Sequence, residues 1–334
     1  MNAGILYLSG ADVVRALPPI DEGLDLAERA MTALVADAEL PAKIGVHPRP
    51  DGSFAHAMPA SLRPERAGAT TADDLLGMKW VLGFPANREA GAAPINALVV
   101  VNDPATGLPV AILDGGPITA RRTAAVSGVV VRRFAPTVTG RPVRVAIVGA
   151  GVQGRSHIEM IDHVLPGARV VIHDRHPERA ATLAATASAL PGVTEATVAA
   201  AAREATAAAD VVITAVTFAR PEERQPMTPD WLAPDALVVA LDYAAMCSAA
   251  TARDAALFLV DDRGQFLMNR DLGQFDDYPD PTATIGEAIL GGVLRPASGR
   301  VVATPLGVGL ADIVFAADIM ERARAMGLGM LLAR

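Results

Sequence analysis

The stretch from Val143 to Gly154 restricts the folds open to this chain more than any other. Val143-Arg-Val-Ala-Ile-Val148 is a short apolar run rich in branched residues, the pattern of a strand buried on both faces. It breaks into Gly149-x-Gly151-x-x-Gly154, and helical spacing of apolar residues runs from Val152 to Leu165. Gly149 permits a tight turn, Gly151 lets a phosphate come up to the backbone, and Gly154 lets the helix lie close on the strand. A helix that opens there points its unpaired N–H groups at an anion. Glycine-rich turns are common, so the triplet alone decides little. The next apolar strand, Arg169-Val-Val-Ile-His173, ends on Asp174, placed to accept hydrogen bonds from an adenosine ribose. Strand, turn, helix and acid together predict a dinucleotide site. Asp174 favours NAD(H), because it repels a 2′-phosphate. Arg175 and Arg179 in the same turn keep NADP(H) possible.

From residue 143 the pattern alternates strand and helix, with strands expected over 143–148, 169–173, 210–216, 236–241 and 257–260. Helices lie between them, such as 177–190, where Pro177 suits the first helical position. This predicts an α/β fold with a Rossmann-type doubly wound parallel sheet. Ligands then sit at the carboxyl ends of the strands, which nominates Gln153, Asp174, Thr217 and residues 242–244. Upstream, a strand at Ile5–Leu8 leads into two helices for which Ser9 and Asp21 are plausible caps. Strands follow over 43–47, over 53–58 after a Pro50-Asp-Gly turn, and over 77–83. Runs 96–102 and 108–113 flank a hairpin turn, Asp103-Pro-Ala-Thr-Gly107. After the sheet has ended, a glycine-rich turn from Thr304 and an amphipathic helix over 314–326 are expected to cross back onto the N-terminal domain. The division is therefore 1–118 with 304–334 as an α+β domain completed by the C-terminal helix, and 119–303 as the nucleotide-binding domain.

At 334 residues, 51 % apolar and 20 % charged, the chain can bury two cores. A net charge of −8 gives no electrostatic footprint for nucleic acid or an anionic membrane. There is no apolar run of membrane-spanning length, no basic start to Met1-Asn-Ala-Gly, and a single cysteine, Cys247. The expectation is a soluble cytoplasmic protein without a disulfide framework.

Of 29 basic residues only two are lysines, Lys43 and Lys79, which leaves 27 arginines. A chain that writes nearly every cation as arginine keeps lysine where arginine would not serve, and burial shifts lysine, not arginine, to exchange a proton near neutrality. Lys79 lies mid-strand, pointing opposite to Met78 and Trp80. Arg121 and Arg122 fall in the first turn of a helix that Thr119 is expected to cap. Cations oppose the positive end of the helix dipole, so the pair suggests a carboxylate or phosphate nearby, against the alternative of an exposed basic turn. His47 and His56 read as plain strand residues, and nothing assembles metal-ligand spacing around them, so no metal is expected. His157, His163, His173 and His176 read as scaffold.

With these residues in view, the chain resembles the ornithine cyclodeaminase/μ-crystallin family over nearly its whole length. The resemblance rests on Pro41-Ala-Lys43, Met58-Pro-Ala60, Gly77-Met-Lys-Trp-Val81, Asn102-Asp-Pro-Ala-Thr-Gly107, Thr119-Ala-Arg-Arg-Thr-Ala-Ala125, the Gly149 to Gly154 turn, and Val308-Gly-Leu-Ala-Asp312. It implies a homodimer whose N-terminal domain supplies dimerisation and substrate contacts, with NAD(P)-linked chemistry on small amino or imino acids. Carried over by position, Lys79 resembles the strand lysine at the substrate and Arg122 the carboxylate-binding arginine. Lys43 stands where many members have an arginine on the same carboxylate, and Val308 completes the implied substrate set. The implied cofactor set comprises Arg122, Thr123, Gly149, Gly151, Val152, Gln153, Gly154, Asp174, Arg175, Thr217, Leu241 and Gly307. Two positions depart from the family. Ala244 stands where cyclodeaminases carry an aspartate, with Asp242 two residues earlier as the remaining catalytic candidate, and Gly307 replaces a serine. Both departures favour an oxidoreductase of the ketimine reductase or amino-acid dehydrogenase type. The alternatives are a redox-neutral cyclodeaminase and a cofactor-binding protein without turnover.

Overall fold

The computed structural model describes residues 4–50, 52–64, 70, 73–217 and 219–333, so Asp51 of the expected turn and the first three residues lie outside it. In chain order the elements are β1 (Ile5–Leu8), α1 (Gly10–Arg15), α2 (Ile20–Ala33), β2 (Ala38–Glu39), β3 (Ile44–Val46), β4 (Phe54–Leu62), β5 (Leu75–Gly83), β6 (Ile95–Asn102), β7 (Pro109–Asp114) and α3 (Gly115–Phe134). There follow β8 (Arg144–Val148), α4 (Val152–Val164), β9 (Ala168–His173), α5 (Pro177–Ser188), β10 (Val193–Val198), α6 (Ala202–Thr206), β11 (Val211–Thr214) and β12 (Leu237–Ala240). The chain ends with α7 (Ala249–Arg253), β13 (Leu257–Val260), α8 (Arg263–Asp271), β14 (Ala283–Thr284), α9 (Ile285–Leu290), β15 (Val301–Thr304), α10 (Gly309–Ala325) and β16 (Met330–Leu332). Among the described residues, no helix is long and apolar enough to cross a membrane.

Two compact units result: Met1–Arg122 with Gly307–Arg334, and Thr123–Leu306. These boundaries fall three to four residues later than the sequence suggested, at the helix α3 and just beyond β15.

In the first unit a mixed sheet runs β16-β1-β7-β6-β5-β4-β2, and β3 pairs with the other end of β4. The long antiparallel ladder β4-β5-β6-β7 follows from alternating sequences joined by short turns. At the β6–β7 hairpin the Asp103 carboxylate accepts from the N–H groups of Ala105 and Thr106, which fixes the turn. Helix α10 packs on α2, β4, β5 and β6. Every residue from Gly309 to Ala316 is buried, so its first half is enclosed on all sides, whereas within the expected amphipathic span Ile319, Met320 and Ala323 are buried and Glu321 and Arg324 exposed. The caps also differ in part from expectation. Ser9 and Asp12 form a capping box on α1, but α2 starts after Pro19, with Asp21 inside its first turn.

The second unit holds an all-parallel sheet in the order β10-β9-β8-β11-β12-β15-β13-β14. Its central strands are buried at every position, as expected of branched apolar runs covered on both faces. The order reverses between β8 and β11, the topological switch point of a doubly wound fold. Three strands of this unit escaped the sequence reading. The polar, half-exposed β10 lacks an apolar run, β14 spans two residues, and β15 inserts between β12 and β13.

Candidate active site

In the second unit the glycine turn has the geometry that a nucleotide cradle requires. Gly149 has φ +109°, and a Cβ there would lie 2.4 Å from the Ala215 carbonyl oxygen. A Cβ on Gly154 would meet the Gly149 carbonyl oxygen at 2.2 Å, so only glycine lets α4 sit this close to β8. Around Gly151, by contrast, there is open space. Gly151 is the N-cap of α4 and offers no side chain to the first helical N–H groups, so those donors fit an anion such as a pyrophosphate. Asp174 follows β9, with one carboxylate oxygen accepting from the Ala150 N–H at 2.7 Å and the other from the His176 N–H at 2.8 Å. Each oxygen keeps a lone pair for a ribose hydroxyl. Val152, Arg175 and Thr217 are exposed beside these strand ends, and Gln153 and Leu241 are partly buried.

His157, on α4, is fully buried. Its Nδ1 donates to the Gln153 carbonyl at 2.7 Å and its Nε2 lies 2.8 Å from the Ser127 hydroxyl. Burial pushes its imidazole down to about 4, so it is a neutral clamp between α4 and α3. Asp242 is also buried, just beyond β12. Its Oδ2 accepts from the Val216 N–H at 3.3 Å, and burial pushes the carboxyl up to about 6. The Thr214 hydroxyl and the N–H groups of Val216 and Met246 oppose that shift by hydrogen bonding to the carboxylate. Tyr243 and Ala244 follow with φ of 51° and 60°, an uncommon conformation for non-glycine residues. The Tyr243 hydroxyl donates to the Leu306 carbonyl at 3.0 Å, which helps to hold this strained segment.

The first unit carries a different constellation. Alternation along β5 puts Gly77, Lys79 and Val81 on the buried face, with Met78 and Trp80 on the other. Lys79 is 2 % exposed, and its Nζ lies 2.6 Å from Oδ2 of Asp312. Arg122 donates from Nε to the other oxygen, Oδ1, at 3.0 Å. Asp312 sits in the first turn of α10, where the helix dipole favours a carboxylate. The helix reaches the strands because Gly309 has no side chain: a Cβ there would be 2.4 Å from the Met58 carbonyl oxygen. Gly307 has φ +81°, and a Cβ on it would fall 2.7 Å from an Nη atom of Arg122. Glycine at 307 therefore leaves room for the guanidinium. Val308, the N-cap of α10, is buried.

The charges tune one another. Burial is the largest influence on Lys79 and lowers it to about 7, Asp312 opposes that shift, and Arg122 and Lys43 add to it. Burial raises Asp312, but Arg122 and Lys79 outweigh it and hold the acid below the usual carboxylate range. The result is a lysine that exchanges protons near neutrality beside a permanent cation, the pairing needed to hold a carboxylate and serve an adjacent nitrogen.

One sequence argument fails here. Helix α3 starts at Gly115, where the Asp114 carboxylate accepts from the Gly116 N–H, and Thr119 instead donates its hydroxyl back to the Gly115 carbonyl. Arg121 and Arg122 thus lie in the second turn, away from the dipole's positive end, and it is Asp312 that accounts for Arg122. Asp312 is the site residue that sequence reasoning passed over. Its signal was a single acid in the first turn of an otherwise apolar segment, 308–316.

Fold and site together define an α/β protein whose second unit is a Rossmann-type nucleotide-binding unit and whose first unit is built around a buried Lys–Asp–Arg cluster. The chain belongs to the ornithine cyclodeaminase/mu-crystallin family, whose pattern matches residues 12–326. It is 31 % identical over 340 residues to the nodulation efficiency protein NfeD of Rhizobium meliloti, covering 99 % of each chain. It is 28 % identical over 257 residues to the ketimine reductase mu-crystallin of Mus musculus, covering 74 % of this chain and 76 % of that one. Among solved structures, the Delta(1)-pyrroline-2-carboxylate reductase of Thermococcus litoralis, in complex with NADH and L-proline, superposes with a TM-score of 0.84 at 24 % identity. That match covers 98 % of this chain and 100 % of the other.

Proposed function

We propose that this protein is an NAD(P)-dependent oxidoreductase acting on the C=N/CH–N bond of a small amino or imino acid. The observation that carries the reading is the Lys79–Asp312–Arg122 cluster, a buried proton-exchanging amine held beside a fixed guanidinium. Nicotinamide, when bound, supplies or accepts the hydride. The remaining tasks belong to the chain. Arg122 uses Nε on Asp312 and offers its Nη fork to the substrate carboxylate, with Lys43 as a second cation for the same group. Protonated Lys79 donates to the imine nitrogen as the carbon is reduced, and neutral Lys79 takes that proton back in amine oxidation. NAD(H) is favoured over NADP(H) through Asp174, with the exposed Arg175 leaving NADP(H) usable.

Relatives support this reading: one is a ketimine reductase, another a Delta(1)-pyrroline-2-carboxylate reductase in complex with NADH and L-proline. The first unit is then the substrate and dimerisation domain, and the working form is a homodimer. The chain keeps Lys79 and Arg122 but has a buried alanine, Ala244, where a cyclodeaminase needs a carboxylate, which favours net redox chemistry.

The test is NAD(P)H consumption with a panel of cyclic imines and of 2-oxo acids plus amines. Ammonia release from ornithine and lysine is followed in parallel with NAD in catalytic amount. Stoichiometric loss of NAD(P)H is expected; ammonia release without net cofactor change would overturn the assignment. Lys79→Ala is expected to abolish turnover while NADH binding, read by fluorescence, persists. Unchanged turnover would remove Lys79 from the mechanism.

A further inference from the structure

The backbone ladder beside the glycine turn ends just short of the wall that the turn packs against. Its last bonds at the end of β11 run from the Ala215 N–H to the Val148 carbonyl at 2.8 Å and from the Leu241 N–H to the Thr214 carbonyl at 2.9 Å. Residues 215 and 216 then form the wall. A Cβ on Gly149 would meet the Ala215 carbonyl oxygen at 2.4 Å and the Val216 nitrogen at 3.1 Å, so there is no slack between wall and turn. Beyond the ladder a side chain takes over: the Val216 N–H donates to the Asp242 carboxylate, just past the end of the neighbouring strand β12.

The turn that carries Asp242 is braced from several sides. Among the described residues, Gln225, Tyr243, Ala244 and Asp277 are the non-glycine residues with positive φ, and hydrogen bonds gather them round this turn. Gln225 donates its N–H to the Ala244 carbonyl at 3.1 Å, accepts the Ala249 N–H on Oε1 at 2.7 Å, and donates from Nε2 to the Asp276 carbonyl at 3.0 Å. The Tyr278 hydroxyl donates to the Cys247 carbonyl. Backbone of this kind persists where its surroundings over-determine it, and it gathers at functional sites. The titratable groups facing Asp242 are Cys247 and Tyr278. Burial pushes the thiol up to about 12 and the phenol well above its usual range, so both are neutral near pH 7. An ionised carboxylate buried among dipoles is costly to the fold, so its retention calls for a use. A carboxylate accepts from several donors at once, whereas the neutral acid or an amide turns one of its two ends into a donor.

We propose, resting on the reading of the Gly149–Gly154 turn as the nucleotide cradle, that Asp242 is a positioning residue for the nicotinamide nucleotide: it locks the backbone at 215–217 against the glycine turn and exchanges no proton in the chemical step. Its grip belongs to the ionised form. As pH falls through about 6 the carboxyl takes up a proton, one oxygen ceases to accept from an N–H, and the wall loosens.

Calorimetric titration of the full chain with NAD⁺, which is stable in acid, is run from about pH 8 to about pH 5. The unaltered protein is expected to lose about tenfold in affinity over that range, the scale of one charge-assisted hydrogen bond, with the midpoint near 6. Asp242→Asn copies the neutral acid. It is expected to bind NAD⁺ about tenfold more weakly at the alkaline end and to show no midpoint near 6. In whichever substrate of the imine and oxo-acid panel turns over, KM for NADH rises in this variant while kcat at saturating NADH stays within about twofold. A flat profile in the unaltered protein, which needs no variant to fold, would overturn the proposal, as would the same midpoint in Asp242→Asn. A collapse of kcat with KM for NADH unchanged would also overturn it, by making Asp242 an acid–base catalyst. Absence of NAD⁺ binding at every pH sinks the cradle reading itself, whereas binding without these shifts sinks only the role of Asp242.

Discussion

Asparagine at position 312 keeps the shape of the aspartate and removes the one charge that supports the Lys79 proton. The carboxylate touches both cations, at 2.6 Å from Lys79 and 3.0 Å from Arg122. An opposite charge at that range favours the ionised form of its neighbour by about 1–3 pKa units. Lys79, at about 7 with Asp312 in place, should therefore titrate between about 4 and 6 in Asp312→Asn. At pH 7 the protonated fraction then falls from about one half to about one tenth or less. Imine reduction needs the protonated lysine, so its kcat/KM declines as pH rises through the Lys79 pKa. In the variant that limb moves to lower pH, and the value at pH 7 drops at least about fivefold. Amine oxidation needs the neutral lysine, so protonation alone changes its value at pH 7 by no more than about twofold. Stability falls as well, by about 3–5 kcal/mol, because Arg122 stays charged and buried without its partner. Lys79 limits the damage by giving up its proton. The assay is a pH series of kcat/KM in both directions at 25 °C, with an NADH titration on the same sample to show that the nucleotide unit is intact. An equal loss in both directions, with neither limb displaced, would refute the claim that Lys79 titrates in the mechanism through Asp312.

Gly307→Ala forces a Cβ into the Arg122 guanidinium at a residue with φ +81°. It is expected to raise KM for the carboxylate substrate and to cost about 1–3 kcal/mol in a thermal melt, and an unchanged KM would mean that the Arg122 fork does not hold the carboxylate. Asp174→Ala is expected to weaken NAD(H) more than NADP(H) in fluorescence titrations, and equal losses would show that Asp174 does not read the ribose. His157 stays neutral in the folded protein down to about 4, against an ordinary 6.5. The unfolded chain takes up that proton first as pH falls, so between about 6.5 and 4 up to ~3 kcal/mol of stability is lost on acidification. Denaturant titrations across this window check it, and His157→Gln should flatten that part of the profile.

How far the sequence could be read depended on how local each signal was. Strand β8, the glycine turn and α4 announce themselves because apolar run, tight turn and helical period are all decided within about twenty consecutive residues. The Asp103 turn and the Ser9 cap are equally local, and both are present. Thr119 misled because a threonine before a helical run has the appearance of a cap, and only the path of the backbone decides that its hydroxyl bonds to Gly115 instead. Strand β15 was hidden because its four residues, three of them apolar, gain meaning only by pairing with β12 and β13.

By itself, then, the sequence determined the parallel sheet and the glycine turn and singled out Lys79 as a candidate, since each is written in a short stretch or in the scarcity of lysine. Tertiary structure alone decided what those residues can do. Asp312 is 190 positions from Arg122 along the chain, and no periodicity brings the two together. The pKa of Lys79 is set by burial and by the neighbours gathered around it, and Asp242 reaches the Val216 N–H only because β11 and β12 lie side by side. Local sequence fixes backbone geometry through sterics and hydrogen bonding, whereas charge tuning requires groups remote in sequence to share one desolvated volume, and only the folded chain provides it.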